Sequence, residues 1–211
     1  MKKLCLVLAA LYLFLSACGS PFDKAMREGK AALKEERYKD AEKLFNDVLM
    51  DDPRNKDAKT LFEQARTQRI ELEMKDKIKS YRQDTAKLGI RLLVIRQIPG
   101  IIKQNLEFHE QKYNNLLDVK KEIDEIASKY KEYPKIISIH EHMQKSISYL
   151  IEAQALILSL KNDTSGQLSK EEVIKDLNIY THKSYEETKK YIEGLISIEK
   201  EYGINPDPFN K

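Results

Sequence analysis

The sequence predicts an all-α fold, in which a short helical hairpin is followed by an elongated antiparallel bundle of long helices. Charged residues make up 34% of the chain and apolar residues 41%, but its 211 residues include only 7 glycines and 6 prolines. This composition favours long helices and excludes collagen-like, proline-rich and disulfide-scaffold classes. Apolar residues recur every three or four positions over long stretches, and no strand pattern competes with them. The prolines fall between these stretches, where they would separate helices.

The first 17 residues have the order of a bacterial export signal. Two lysines follow Met1, and the apolar segment from Leu4 to Leu15 is too short to span a bilayer, which takes about 20 residues. The segment ends in Leu15-Ser16-Ala17-Cys18, which resembles the bacterial lipobox. This resemblance implies cleavage before Cys18 and attachment of lipid to its thiol. The alternatives are an ordinary secretory signal with a chance cysteine, or a buried helix.

Lipidation of Cys18 would anchor the chain on the extracytoplasmic side of the bacterial cell membrane. Cys5 would leave with the signal peptide at residues 1–17, so the mature chain would have neither a free thiol nor a disulfide. Three residues separate Cys18 from Phe22, and three extended residues reach about 10 Å. The first folded element is therefore expected close to the lipid headgroups.

The segment from 18 to 66 carries a second resemblance, to the tetratricopeptide repeat, which is a pair of helices joined by a tight turn. The residues with the repeat's spacing are Gly29, Tyr38, Ala41, Phe45 and Pro53. The small residues would allow close helix crossing, Tyr38 would begin the second helix, Phe45 would fill the core and Pro53 would end the hairpin. Residues 57–65 are similar to the first helix of a following repeat, but no second hairpin follows. A generic amphipathic hairpin is the alternative.

Such repeats bind extended or helical protein segments on the face lined by their first helices. Carried over to this chain, the resemblance implies a partner groove formed by Met26, Lys30, Leu33 and Lys34. One repeat and one extra helix fall below the usual minimum of three repeats. The hairpin could therefore serve as a partner groove or only as a cap on the bundle.

The segment from 67 to 203 is predicted to form the bundle, and residues 204–211 a C-terminal tail. One long helix is expected from about 56 to about 96, followed by a break at Ile98-Pro99-Gly100 that is either a turn or a kink. Ser169 is the predicted N-cap of the last helix, with Glu172 as its capping-box partner, and Gly203 its C-terminal cap. The predicted core positions are Ile70, Met74, Ile78, Tyr81, Leu88, Leu92, Ile95, Ile102, Leu106, His109, Tyr113, Leu116, Ile123, Ala127, Tyr130, Ile136, His140, Met143, Ile147, Leu150, Gln154, Ile157, Leu177, Thr181, Ser184, Thr188, Tyr191, Leu195, Ile198 and Tyr202.

The sequence contains no recognisable motif for catalysis, nucleotide binding or metal binding. The glycines form neither a G-x-G nor a P-loop pattern, and the sequence has no G-x-S-x-G elbow. His140 and His142 are two residues apart, so on a helix they point to different sides and cannot share an ion. We expect His140 in the core and His142 exposed. The sequence therefore predicts no catalytic residue, no metal ligand and no cofactor.

The segment from Asn162 to Glu172 partly resembles a calcium-binding loop. Asp163, Ser165 and Glu172 have spacings similar to those of an EF-hand, but the position of its first ligand is held by Lys161, where a carboxylate is required. We therefore predict a glycine-containing turn followed by a helix cap.

The sequence favours a lipid-anchored cell-envelope protein that is not an enzyme and acts as a protein–protein interaction module or scaffold. Its formal net charge of +3 gives no electrostatic argument for binding nucleic acid. The expected partners are the membrane, through lipidated Cys18, and a protein of the cell envelope, and a homo-oligomer is possible. The alternatives are a ligand- or metal-binding lipoprotein and a structural helical spacer or oligomer.

Overall fold

The structure, a computed structural model, describes residues 20–95 and 104–205. These two ranges contain six helices and no strand, which confirms the predicted all-α fold. The helices are α1 (Pro21–Lys34), α2 (Tyr38–Asp51), α3 (Lys56–Ile95), α4 (Leu106–Lys129), α5 (Pro134–Asn162) and α6 (Lys170–Glu201).

Several predictions concern residues outside these two ranges. They are the signal peptide at 1–17, lipidation of Cys18, the break at Pro99 and Gly100, and the tail beyond residue 205. Among the residues that the structure does describe, no helix is long and apolar enough to cross a membrane. The chain divides into two compact units, residues 1–74 and residues 75–211, and the division falls inside α3.

The first unit is a hairpin of α1 and α2, followed by the first half of α3. Ser20 begins α1 with a capping box, because its hydroxyl accepts a hydrogen bond from Asp23 N and the Asp23 carboxylate accepts one from Ser20 N. The helices pack around a cluster formed by Ala32, Ala41, Phe45 and Ala65. All four side chains of this cluster are fully buried, which gives the hairpin a small apolar core.

Helix α2 begins at Tyr38, as predicted, and ends at Asp51. In the turn that follows, Asp52 accepts a hydrogen bond from Arg54 N, and Asn55 accepts one from Ala58 N at the start of α3. Short polar side chains thus satisfy the backbone around Pro53 and set the direction of α3.

The second unit is a bundle formed by residues 75–95 of α3 with α4, α5 and α6. Successive helices of the bundle run antiparallel to each other, as the contacts between them show. Early residues of α5 contact late residues of α4, as in the bond from His140 Nε2 to Ile123 O, and late residues of α5 contact early ones of α4, as in the bond from Gln154 to His109. Helix α6 pairs with α5 in the same sense, since Lys135 contacts Glu201. The predicted helical bundle is therefore confirmed.

The apolar periodicity identified most of the core correctly. Of the predicted positions, these are buried: Ile78, Tyr81, Leu88, His109, Leu116, Ile123, Tyr130, Ile136, His140, Met143, Ile147, Leu150, Gln154, Ile157, Leu177, Ser184, Tyr191 and Ile198. The side chains of Leu92, Ile95 and Ile102 lie outside the described part.

Two expectations about exposure are wrong. Ile70 is 48% exposed, because α3 turns Ala65 and Arg69 towards the hairpin and the next residue points about 100° away from Arg69. His142 was expected to be exposed but is only part-exposed, because its Nδ1 lies 2.6 Å from the Glu187 carboxylate of α6.

Candidate functional site

The predicted partner groove is divided by the packing of α1. Met26 and Leu33 are half-buried and pack against the cluster around Phe45. Lys30 and Lys34 are exposed. The two lysines of the predicted groove are therefore more exposed to solvent than its two apolar residues.

The exposed side of α1 is basic. Arg27, Lys30 and Lys34 follow one another at spacings of three and four residues, so they share one side of the helix. Each is exposed, and within residues 20–95 and 104–205 none of the three forms an ion pair. Lys24, at the start of this side, lies 3.9 Å from Glu28. We call Arg27, Lys30 and Lys34 the basic face of α1.

Charge cancellation on this helix is small. The Asp23 carboxylate is engaged by the backbone N–H and hydroxyl of Ser20, and Glu28 lies beside Lys24. The basic face thus keeps three positive charges over about 10 Å of helix, at 1.5 Å per residue.

The pair His140 and His142 forms no common metal site. His140 is buried, accepts a hydrogen bond at Nδ1 from the Tyr81 hydroxyl at 3.0 Å and donates from Nε2 to Ile123 O at 2.8 Å. Both its nitrogens are therefore occupied. Within the two described ranges, no three His, Cys, Asp or Glu side chains are grouped so that they could hold a metal ion.

Burial lowers the pKa of His140, although its bond to Ile123 O and the charge of Asp124 oppose this change. The imidazole is accordingly neutral near pH 7, in keeping with one ring nitrogen that accepts and one that donates. It acts as a bridge between α3, α4 and α5.

A group of tyrosines surrounds this histidine in the bundle interior. The Tyr81 ring meets the Tyr130 ring edge-on at 5.3 Å, and Tyr191 donates to the Thr85 hydroxyl at 2.8 Å. Tyr130 donates to Asp84 at 2.7 Å. Burial is the first cause that raises the pKa of Tyr81, Tyr130 and Tyr191, so these phenols stay protonated far into the alkaline range.

Two buried charged groups lie elsewhere in the same bundle. Glu199 of α6 is 1% exposed and forms an ion pair with Arg82 of α3 at 3.1 Å. Burial raises the pKa of Glu199, and Arg82 opposes that change. Lys112 of α4 is 9% exposed, and burial lowers its pKa to about 8. Neither residue was predicted to be buried, because Lys and Glu are common on the exposed sides of helices and no local spacing distinguishes these two.

The loop between α5 and α6 is a self-contained turn. The Asp163 carboxylate accepts hydrogen bonds from the backbone N–H groups of Ser165, Gly166 and Leu168, and from the Ser165 hydroxyl. These bonds lower the pKa of Asp163. Ser169 then caps α6 by accepting a bond from Glu172 N. The Asp163 carboxylate thus serves the predicted glycine-containing turn.

Helix α6 carries an exposed apolar stripe. Tyr185, Ile192 and Ile196 are 56%, 49% and 37% exposed, and their spacing places them on one side of the helix. The depressions described on the bundle surface are open and lined largely by charged or polar side chains, such as Asp84, Lys87, Glu122 and Lys129. The stripe on α6 was not identified from the sequence, because the apolar pattern there was explained by the core alone.

No known protein family, curated protein or solved structure matches this chain.

Proposed function

We propose that the chain is a lipid-anchored, extracytoplasmic protein of the bacterial cell envelope, which acts without catalysis as a protein–protein interaction module. One observation carries the proposal. The motif Leu15-Ser16-Ala17-Cys18 closes an export signal, and Ser20, only two residues after the cysteine, caps the first helix of a folded hairpin. A lipid on Cys18 would therefore hold folded protein at the membrane without a long linker.

The hairpin is a packed, folded element directly after the proposed anchor. A Cβ atom at Gly29 would come within 2.6 Å of the Phe45 ring, so α1 and α2 approach each other as the tetratricopeptide resemblance implies. The turn around Pro53 then leads into α3, which supplies Ala65 to the same cluster.

The bundle offers a second surface. Tyr185, Ile192 and Ile196 expose aromatic and aliphatic area on one side of α6, and aromatic residues are enriched at protein interfaces. Since Met26 and Leu33 of the predicted groove pack inward, we expect the protein partner to contact this apolar stripe rather than α1.

The anchor is tested by mass spectrometry of the N-terminal peptide isolated from cells. We expect Cys18 at the new N-terminus with lipid on its thiol, and Cys18→Ala should leave the chain without lipid. An unmodified Cys18 in the wild-type protein would disprove the anchor.

The interaction role is tested by crosslinking in intact cells, followed by capture of the chain. Ile192→Gln with Ile196→Gln should lose the crosslinked protein while the melting temperature of the bundle changes little. Lys189→Gln with Lys200→Gln, on exposed positions of the same helix, is the matched control. Equal crosslinking by all three proteins would contradict a role for the stripe.

The structural alternative has its own readout. A helical spacer or homo-oligomer would show self-crosslinks and a sedimentation coefficient that increases with concentration. If the stripe variant abolished self-association but no crosslink to another protein was found, the oligomer would replace the interaction module as the proposed function.

A further inference from the structure

We propose that the basic face of α1, formed by Arg27, Lys30 and Lys34, lies against the anionic lipid headgroups of the membrane that holds Cys18. This inference rests on the proposed lipid anchor and adds a second contact to it. It assigns a membrane surface, and not a protein segment, to the exposed side of the first helix.

The first argument is the division of α1 into two sides. Gly29 and Ala32 are buried, and Met26 and Leu33 pack on the hairpin cluster. The opposite side exposes cations that have no ion-pair partner within the described residues. A flat array of like charges suits a continuous anionic surface, whereas a protein segment in a groove would also need exposed apolar contacts.

The second argument is the length of chain between lipid and helix. Only Gly19 and Ser20 lie between Cys18 and the first residue of α1, so the start of the helix can be no more than about 10 Å from the lipidated residue. That distance is close to the Debye length at physiological ionic strength, roughly 8 Å. The basic face begins six residues further along, about 9 Å at 1.5 Å per residue, so α1 keeps its charges within the field of an anionic leaflet when it lies along the membrane surface.

The third argument is the placement of the negative charges. Asp23 is bound within the cap of Ser20, and Glu28 lies at 3.9 Å from Lys24, so neither neutralises the basic face directly. Each Lys or Arg near an anionic leaflet strengthens attraction about fivefold. Three such residues would strengthen the contact roughly 100-fold at low salt, if all three reach the headgroups together.

The experiment uses the lipidated chain in vesicles and measures how close α1 lies to the lipid. Ala31 is exposed and adjacent to Lys30, and Gln64 is an exposed, uncharged control position on α3. Cys5 leaves with the signal peptide and Cys18 carries the lipid, so Ala31→Cys or Gln64→Cys would provide a single thiol for a fluorophore. Headgroup-labelled quencher lipids then report contact.

We expect strong quenching at position 31, but not at position 64, in vesicles of phosphatidylcholine with phosphatidylglycerol. Vesicles of phosphatidylcholine alone, or raised salt, should remove most of it. Arg27→Gln, Lys30→Gln and Lys34→Gln together should have the same effect. Lys39→Gln, Lys43→Gln and Lys59→Gln remove the same charge from exposed positions of α2 and α3, and should leave the quenching intact.

Four results would overturn the inference. One is equal quenching at position 31 in neutral and anionic vesicles, and another is equal loss with the two triple variants. The third is a fluorophore at position 31 that is not quenched, together with a protein that crosslinks to the wild type but not to the variant with Lys30→Glu and Lys34→Glu. That result would assign the basic face to a protein partner. The fourth is a greater loss of quenching in inorganic phosphate than in chloride of equal ionic strength. That result would assign the basic face to free phosphate.

The anchor and the basic face fail in different ways. A mass measurement of the same vesicle sample shows whether Cys18 carries lipid. If it does not, the proposed anchor fails and this inference fails with it. If Cys18 is lipidated and position 31 stays unquenched, only the basic-face contact is wrong.

Discussion

His140 connects three helices through two hydrogen bonds. Its imidazole lies between the Tyr81 hydroxyl and Ile123 O, and it is 1% exposed. A second proton would turn Nδ1 into a donor facing Tyr81, so the bond at that nitrogen would have to rearrange. The residue therefore favours the neutral form in the folded chain, which gives a measurable pH dependence.

We predict that the bundle loses stability as pH falls through about 6.5, the pKa of an unperturbed histidine. Because burial lowers the pKa of His140 in the folded chain, the unfolded chain binds more protons in this range, and stability is retained above it. Thermal melts between pH 8 and pH 5 should show a steeper decline for the wild type than for His140→Gln.

His182→Gln is the control, since this histidine is exposed. Its melting curve should follow that of the wild type over the whole pH range. An identical pH dependence for wild type and His140→Gln would contradict the assignment of the decline to His140.

Gly29 is required by space and not by backbone conformation. An added Cβ would lie 2.6 Å from one Phe45 ring carbon and 2.9 Å from another. Gly29→Ala should therefore destabilise the hairpin by about 1–3 kcal/mol, even though alanine is the better helix former. Urea unfolding monitored by circular dichroism measures this cost.

Phe45→Leu should be destabilising alone but less so when combined with Gly29→Ala, because the smaller side chain leaves room for the methyl group. Strict additivity of the two changes would mean that the ring is not what excludes a side chain at position 29.

At the scale of the helices, two ends have the same geometry but different residues. Two residues after the end of α1, Glu36 has a φ of 59°, and Arg37 N donates to Ala32 O. Two residues after the end of α6, Gly203 has a φ of 64°, and Ile204 N donates to Glu199 O. Both are Schellman caps, in which the left-handed position favours glycine.

This pairing predicts changes of opposite sign. Glu36→Gly should stabilise the chain by up to about 1 kcal/mol, and Gly203→Ala should destabilise it by a similar amount, since a Cβ is strained in the left-handed region. Chemical unfolding of the two variants tests the pair. A loss of stability in Glu36→Gly would show that the Glu36 side chain contributes more than its strained backbone costs.

Helix boundaries were well predicted where a residue has a local physical role. Ser169 caps the start of α6 and Gly203 follows its end, and both act through neighbouring backbone groups that the sequence itself identifies. Glu36 has no such signal, because nothing in a glutamate residue indicates a left-handed backbone. Ile70 was wrongly predicted to be in the core for a related reason. Periodicity identifies the apolar side of a helix, but it does not show which part of that side is covered by another helix.

At the scale of the whole molecule, the bundle core is the best-predicted feature. Leu150 is 2% exposed, whereas Leu117 is 41% exposed. Leu150→Asp should destabilise by several kcal/mol, because it removes packed apolar area and buries a charge. Leu117→Asp should change stability by no more than about 0.5 kcal/mol. Melting temperatures of the two variants should therefore differ clearly, and equal values would mean that the side of α5 containing Leu150 is not part of the core.

The proposed interaction surfaces were harder to predict than the core. Burial follows from a repeated pattern over many residues, but the basic face depends on which side of α1 packs against Phe45. In the sequence, Met26 and Leu33 could belong to a groove or to the core, and only packing distinguishes the two. Likewise, the pairing of Glu199 with Arg82 joins residues far apart in the chain, which no local spacing indicates.

The buried tyrosines give the second unit an optical signature of its own. The chain has no tryptophan, and in the described part the first unit contains only Tyr38, so tyrosine absorption arises almost entirely from the bundle. Exposed phenols ionise near pH 10, but Tyr81, Tyr130 and Tyr191 hold their protons further because burial raises the pKa of each. Stability from these groups is present below pH 10 and is lost as pH rises towards their folded pKa values. Hydroxide would thus reach the three interior phenols only as fast as the bundle opens, so the slow phase of an alkaline absorbance jump would time that opening.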